Sequence, residues 1–277
     1  MQEETMDKSL IFDTHAHLND AAFAEDRDAV IASLSSLGIG GFCEIGFDTA
    51  SSEAAVRLAE RFPDVYCAVG IHPENAGRET DADIAVLRSL AAHKKVRAIG
   101  EIGLDYHSLE EDIDREKHPD WNANPPKEIQ RGCFRKMLKL ARELKLPVNI
   151  HSRDAAQDTY DLLVSEKGYA ESGIVHCFSY PAEMARRFAA LGMYVGIGGV
   201  LTFRNARKLA EAAEAIPMDR IVLETDCPYM APEPHRGTRN DPRNLRYVVR
   251  KLADIKKLPP EEVVRITTEN AMRVYRI

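Results

Sequence analysis

Short apolar runs rich in β-branched residues alternate along this chain with stretches whose apolar positions recur at helical spacing. The first run is Leu10 to Asp13. Val30, Ile31, Leu34 and Leu37 then predict a helix that Gly38 stops. A second strand, GFCEIGF, begins at Gly41, and a helix from about Ser51 to Phe62 ends at Pro63. The third strand is Val65 to Pro73. Asp81 is the expected cap of a helix carrying Ile84, Leu87 and Leu90. Val96 to Asp105 is the fourth strand. A helix bearing Ile129, Phe134, Met137, Leu138 and Ala141 leads to the fifth, PVNIHSRD. GIVHCFS is the sixth, a run from Met193 the seventh, and IVLETDCP, from Ile221, the eighth. The tail from about Pro242 is expected to be helical.

Continuous apolar strands alternating with helices are the pattern of a parallel sheet covered by helices. Eight is also the number that closes a barrel. The expected fold is therefore α/β, a TIM (β/α)8 barrel forming a single domain over residues 1–277. A doubly wound open sheet is the alternative, but it does not explain where the polar residues fall. The pattern is interrupted only at 106–126, a long polar stretch that holds Trp121, a charge run from Glu110 to Lys117 and the pair Pro125–Pro126. It reads either as a lid or binding loop, or as a surface insertion.

The composition, 44% hydrophobic and 29% charged over 277 residues, is that of a globular protein and fits one barrel. A formal net charge of −7 argues against wrapping duplex DNA through many phosphate contacts. It leaves room for a small site whose positive charge comes from bound cations. The polar, acidic start MQEETMDKS does not resemble a secretory signal. No apolar run approaches the roughly 20 residues that span a bilayer. An odd number of cysteines, five, without Cys-x-x-Cys, suits reduced thiols and a cytoplasmic location. No membrane partner is expected, and oligomeric state is open, with a monomer compatible.

Polar residues recur at the C-terminal ends of the strands. His15 and His17 end the first, His72 the third, Glu101 the fourth, His151 the fifth, His176 the sixth, and Glu224 and Asp226 the eighth. Alternate strand residues share a face, so Asp13, His15 and His17 point the same way. In a barrel these ends converge on one mouth, where active sites sit. Taken alone, each residue reads equally as a hydrogen-bonded core group, an ion pair or a surface histidine. The set reads as a metal site, because imidazoles and carboxylates without thiolate suit Mg, Mn or Zn. Six ligands are too many for one catalytic ion with an open position, but enough for two divalent metal ions. His15, His17 and Asp226 are assigned to one ion, His151 and His176 to the other, with Glu101 bridging. Two ions roughly 3.5–4 Å apart are a familiar device for displacement at phosphorus.

Asp226 can bind an ion and also accept the proton of an attacking water, so Asp226 and Glu101 are the expected catalytic residues. Asp13 and Glu224 are read as groups that orient ligands. Arg153 shares a face with His151 and can fork onto a phosphate, or pair with Asp154. His235 and Arg236 follow the eighth strand, where barrels often bind phosphate. His72 is placed to donate to a substrate oxygen, or to cap the rim. Tyr106, Trp121, Phe178 and Tyr229 are candidates for stacking bases, or for ordinary packing.

DTHAHL, GIHP, GEIGLD, PVNIHSRDA, VHCFS, ETDCPY and PHRGTRND, in this order from about Leu10 to the C-terminus, closely resemble the TatD family of metal-dependent deoxyribonucleases. The resemblance implies an amidohydrolase-like TIM barrel with nuclease activity on DNA. By position, the family's metal ligands fall on His15, His17, Glu101, His151, His176 and Asp226. Glu101 occupies the place where related amidohydrolases often carry a carbamylated lysine. The stretch after Tyr106 is longer than the family leads one to expect. The expected function is exonucleolytic phosphodiester hydrolysis on short or single-stranded DNA. The alternatives are a hydrolase of small esters, lactones or amides on the same barrel, and a non-catalytic, metal-bearing adaptor.

Overall fold

The computed structural model describes residues 9–277 apart from 115, 119 and 121. Eight parallel strands lie in one sheet in chain order: β1 Ile11–Ala16, β2 Ile39–Ile45, β3 Val65–Val69, β4 Val96–Asp105, β5 Val148–Arg153, β6 Gly173–Val175, β7 Tyr194–Ile197 and β8 Ile221–Leu223. The last strand returns to the first through a parallel bridge between Ala16 and Cys227. The Thr14 hydroxyl also donates to Leu223 O at 3.0 Å. The sheet is thus a nearly closed barrel, as the eight apolar runs predict. Around it run α1 Arg27–Ser33, α2 Thr49–Arg61, α3 Asp81–Leu90, α4 Lys127–Leu144, α5 Ala156–Ser165, α6 Ala182–Ala190, α7 Arg207–Ala215, α8 Leu245–Lys256 and α9 Pro260–Tyr275. Among the described residues, no helix is long and apolar enough to cross a membrane.

Local chemistry sets the helix boundaries. Gly38, at φ +88°, ends the turn after α1, a conformation that an L side chain resists. Asp48 caps α2 in a reciprocal box with Ser51, so this helix starts at Thr49, two residues before the expected Ser51. Thr80, not Asp81, caps α3: it is extended and its hydroxyl accepts from Asp83 N, while Asp81 is already helical. The tail is helical as expected, divided into two helices at left-handed Lys257 and Pro259–Pro260.

Strand ends differ from the sequence pattern in one consistent way. β3, β6 and β8 stop before their polar residues, whose backbone curls over the mouth and pairs with a neighbour. His176 N–H donates to Ile150 O at 3.0 Å, and Asp226 N–H donates to His15 O at 2.9 Å. β4 keeps the bounds expected from the sequence, Val96–Asp105, so Glu101 lies within the strand, four residues before its end. The register against β5 slips between Ile99 and Ile102. Gly103 follows at φ +146°, its Cα so close to β5 that a Cβ would sit 1.9 Å from His151 O. Gly103→Ala is expected to destabilise the protein by about 1–3 kcal/mol, because strand and carbonyl must both move. An unchanged melting temperature in a thermal unfolding scan would contradict this packing.

Phe12, Ile45, Ile174, Tyr194 and Val222 fill the barrel interior, joined from below by Tyr275 of α9. The Tyr275 hydroxyl donates to Thr14 O at 2.7 Å and accepts from the Asn149 amide at 3.0 Å. The last helix therefore plugs the barrel floor and leaves only the opposite end open.

The long stretch after Tyr106 packs as a surface insertion. Leu109 is buried and bridges Asn124, and Gln130 ties Asp105 O to Pro125 O. None of its described residues lines the central cavity. Trp121 lies outside the described residues.

Candidate metal centre

The open end of the barrel holds a cavity of about 700 Å³ whose floor is formed by His17, Glu101, His151, His176 and Asp226. Glu101 is buried at its centre and turns one carboxylate oxygen to each side. Oε2 lies 3.5 Å from His15 Nε2 and 3.7 Å from His17 Nε2. Oε1 lies 2.9 Å from His151 Nδ1 and 2.7 Å from His176 Nε2. Asp226 Oδ1 completes the first group, 3.7 Å from His15 Nε2 and 3.5 Å from His17 Nε2. The structure thus brings together all six residues expected to be metal ligands. The first set lies around one carboxylate oxygen and the second around the other.

Hydrogen bonds behind the imidazoles orient them. His15 Nδ1 meets Asn149 Oδ1 at 3.1 Å, and His17 Nδ1 meets Ile45 O at 3.1 Å. Both contacts are to pure acceptors, so Nδ1 carries the proton and Nε2 faces the cavity. His151 is reversed: Nε2 meets Asp105 Oδ2 at 3.0 Å and Nδ1 faces Glu101. His176 Nδ1 has no hydrogen-bond partner and lies 3.7 Å from Glu224 Oε1. Glu224 is fully buried, accepts from Cys177 N–H and leaves Oε2 unpartnered against Gly196. Asp13 bonds backbone and hydroxyl groups rather than an imidazole ring. Its Oδ1 accepts from the N–H groups of His15 and Thr225 and its Oδ2 from the Thr225 hydroxyl. It therefore fastens the end of β8 to β1, and burial pushes its pKa up to about 7.

The remaining expected contacts divide. His72 and Arg153 line the cavity. Asp154 pairs with His107 at 2.7 Å, so Arg153 is not held by its neighbour. His235 and Arg236 do not line the cavity. The His235 ring bonds the Tyr247 hydroxyl at 2.9 Å, and Arg236 stacks 4.4 Å over the Phe203 ring. A residue of α8 and one that follows β7 thus engage the two side chains outside the cavity lining. Of the candidate stacking residues, Tyr229 lines the cavity, Phe178 is core, and Tyr106 is buried with its hydroxyl on Asp158. Asp105, Asn149 and Phe47 were not singled out by the sequence. Asp105 alone left a signal there: it is four residues after Glu101 and so shares its face of the strand.

The ionisation of these groups fits a cation site. Burial opposes a charge on Glu101, but the adjacent imidazoles, above all His176, hold its pKa well below the carboxylate range. His17, likewise buried, is nonetheless raised to about 9 by its hydrogen bond to Asp226 and the charge of Glu101. His151 and His176 are also raised against desolvation, His151 by its bonds to Asp105 and Glu101, His176 by the Glu101 charge and hydrogen bond. Burial and the charge on His176 lower His15. The clustered carboxylates thus favour positive charge on His17, His151 and His176, the charge that a divalent cation would supply instead. The ligand atoms of His15, His17 and Glu101 lie within 4.8 Å of one another, as do those of His72, Glu101 and His151.

A pH dependence follows. An imidazole must lose its proton to bind a metal, so a raised pKa makes affinity climb with pH up to about 9 for His17. The window lies above the 6–6.5 that free histidines would give. Titration calorimetry at pH 7.5 in buffers of different ionisation enthalpy is expected to show proton release on metal uptake. Heats that do not depend on the buffer would contradict the arrangement.

A parallel eight-stranded barrel with paired histidine–carboxylate groups at its C-terminal mouth is the architecture of a metal-dependent hydrolase. The chain belongs to the family described as TatD related DNase, whose model matches residues 12–276. It is 41% identical over 268 residues to the uncharacterized metal-dependent hydrolase YabD of Bacillus subtilis, covering 97% of this chain and 100% of that one. It is 33% identical over 271 residues to the 3'-5' ssDNA/RNA exonuclease TatD of Cronobacter sakazakii, covering 96% and 97% respectively. The crystal structure of YJJV, a TatD homologue from Escherichia coli K12, superposes with a TM-score of 0.86 at 26% identity, covering 98% of this chain and 100% of that one.

Proposed function

We propose that this barrel, acting as a single domain, hydrolyses phosphodiester bonds in short or single-stranded DNA, removing nucleotides from an end. The observation that carries the reading is the two-sided placement of Glu101, each of whose oxygens faces its own imidazole pair. That is the arrangement two divalent cations would share. His15, His17, Asp226 and Glu101 would hold one, and Glu101, His151 and His176 the other, with Mg, Mn and Zn all compatible with the donors. Bound ions of this kind act as Lewis acids that neutralise charge on phosphoryl oxygens. The relative named as an ssDNA/RNA exonuclease supports nucleic acid as the substrate class.

The chain's own groups do the rest. Asp226 is placed to take the proton of an attacking water. Burial would raise its pKa, but the bond to His17 and then the charge on His176 lower it, so the carboxylate is ionised and ready to accept. His72 Nδ1 accepts from Glu74 N–H at 3.2 Å, so the ring proton sits on Nε2, on the side facing the cavity. Burial, and then the charge on His151, lower the pKa of His72 to about 3. It is thus a neutral donor for a non-bridging or leaving oxygen. Arg153, free of Asp154, presents its guanidinium fork to a phosphate.

A labelled single-stranded oligonucleotide ladder, incubated at micromolar enzyme with and without chelator, tests this. Metal-dependent shortening is expected. Its absence, with turnover of a lactone panel instead, would transfer the site to carbonyl chemistry.

A further inference from the structure

One flank of the cavity is apolar, and it is built with care. Phe47, Tyr229 and Met230 line it and are 40%, 55% and 46% exposed. They are half of the six large apolar side chains that stand exposed among the described residues. That three of the six line one cavity is the pattern of a ligand contact rather than of scattered surface residues.

The backbone under them is locked. Phe47 N–H donates to the Ser51 hydroxyl at 2.9 Å, and Phe47 O accepts from His72 N–H at 2.8 Å and the Asn75 amide at 3.1 Å. The ring then stands edge-on to His17, 6.0 Å between centroids. Tyr229 N–H donates to Asp226 O at 2.9 Å, and the buried Asn240 amide donates to Tyr229 O at 2.8 Å and Thr225 O at 2.9 Å. Met230 is held at φ +53°, a conformation that a bulky residue adopts only when its surroundings impose it. These segments present their side chains to the cavity rather than let them fold into the core.

The polar groups next to these side chains are mostly acceptors, the Glu74 and Asp20 carboxylates, or are already engaged. The Asn75 amide is engaged by Phe47 O, and the Asp20 carboxylate caps Ala22 and receives the Tyr229 hydroxyl at 3.3 Å. A flat, polarisable ligand is what such a wall accepts, by stacking and without preference for its edge groups. Phe47 stands against His17 and Tyr229 bonds Asp226 O, next to β1 and β8, whereas Arg153 lines the cavity from the end of β5, across the barrel from β1.

We propose that Phe47, Tyr229 and Met230 form a stacking subsite for the unpaired base of the nucleotide being released, on the His17–Asp226 side of the cavity. The inference rests on the nuclease reading above. It adds an orientation, base toward Phe47 and Tyr229 and chain toward Arg153, and it makes a terminal base that can leave its duplex partner a requirement.

The test compares matched single-stranded oligonucleotides that carry a normal or an abasic terminal nucleotide, at each end in turn. Wild type is expected to favour the normal nucleotide at the end it attacks by about 5- to 150-fold in kcat/KM, the range that stacking one base supplies. Phe47→Ala and Tyr229→Ala should each erase most of that preference, chiefly through KM, while Tyr229→Phe keeps it. Equal cleavage of both substrates by wild type, or equal losses on both in the variants, would overturn the subsite and leave the nuclease reading standing. Cleavage of neither by wild type would remove both together.

Discussion

Glu101→Gln is expected to empty the site of metal. The substitution keeps size and shape and removes the one charge that both imidazole groups face. Losing a partner that merely orients a ligand weakens metal binding roughly 10–100-fold. Losing a carboxylate placed 2.7–3.7 Å from His176, His151, His15 and His17 should exceed that range. A neutral amide also cannot offset the charge of two cations held side by side. Elemental analysis after gel filtration should find less than about one ion per chain, and hydrolytic activity should fall to background. Full metal content in the variant would mean that the two sides of the site do not share Glu101.

Asp226→Asn separates binding from proton transfer. The amide oxygen can still sit near His15 and His17, so metal content should fall less than in Glu101→Gln. What disappears is the proton acceptor, and kcat is expected to drop about 10²–10⁴-fold. The sign of the pH dependence follows from the lowered pKa of Asp226. A carboxylate with a depressed pKa stays ionised as pH falls, so in the wild type Asp226 does not limit the rate at neutral or mildly acid pH. Loss of activity on the acid side should instead track protonation of the histidines. Steady-state kinetics across pH with metal in excess checks both points, and a variant with undiminished kcat would remove Asp226 from the proton step.

Much of this site is legible in the sequence. Period-two placement of His15 and His17 after an apolar run, and a polar residue after most other runs, marked one rim of a barrel. Strand geometry turns such a pattern into a shared direction, and barrel closure turns shared direction into proximity. Local rules carried the helix starts less well: Asp81 has a capping side chain, but Thr80 holds the extended backbone that a cap requires. The fourth strand keeps its expected bounds, Val96–Asp105, but its slip in register against β5 between Ile99 and Ile102 leaves no mark in the spacing.

The apolar and polar pattern of the chain was enough to specify eight parallel strands, their order and the residues at the mouth. These depend on periodicity and on short connections, which are local properties. Folding supplied what depends on distant partners. Asn149 orients His15 from 134 residues away, and Tyr275 braces Asn149 from 126. Phe47 looks like one more core residue in its strand until the barrel closes and leaves it on the cavity wall. His235 and Arg236 look free until Tyr247 and Phe203 engage them. A hydrogen bond or a stacked ring has no preferred separation along the chain, so only the packed molecule shows which groups are held and which are offered.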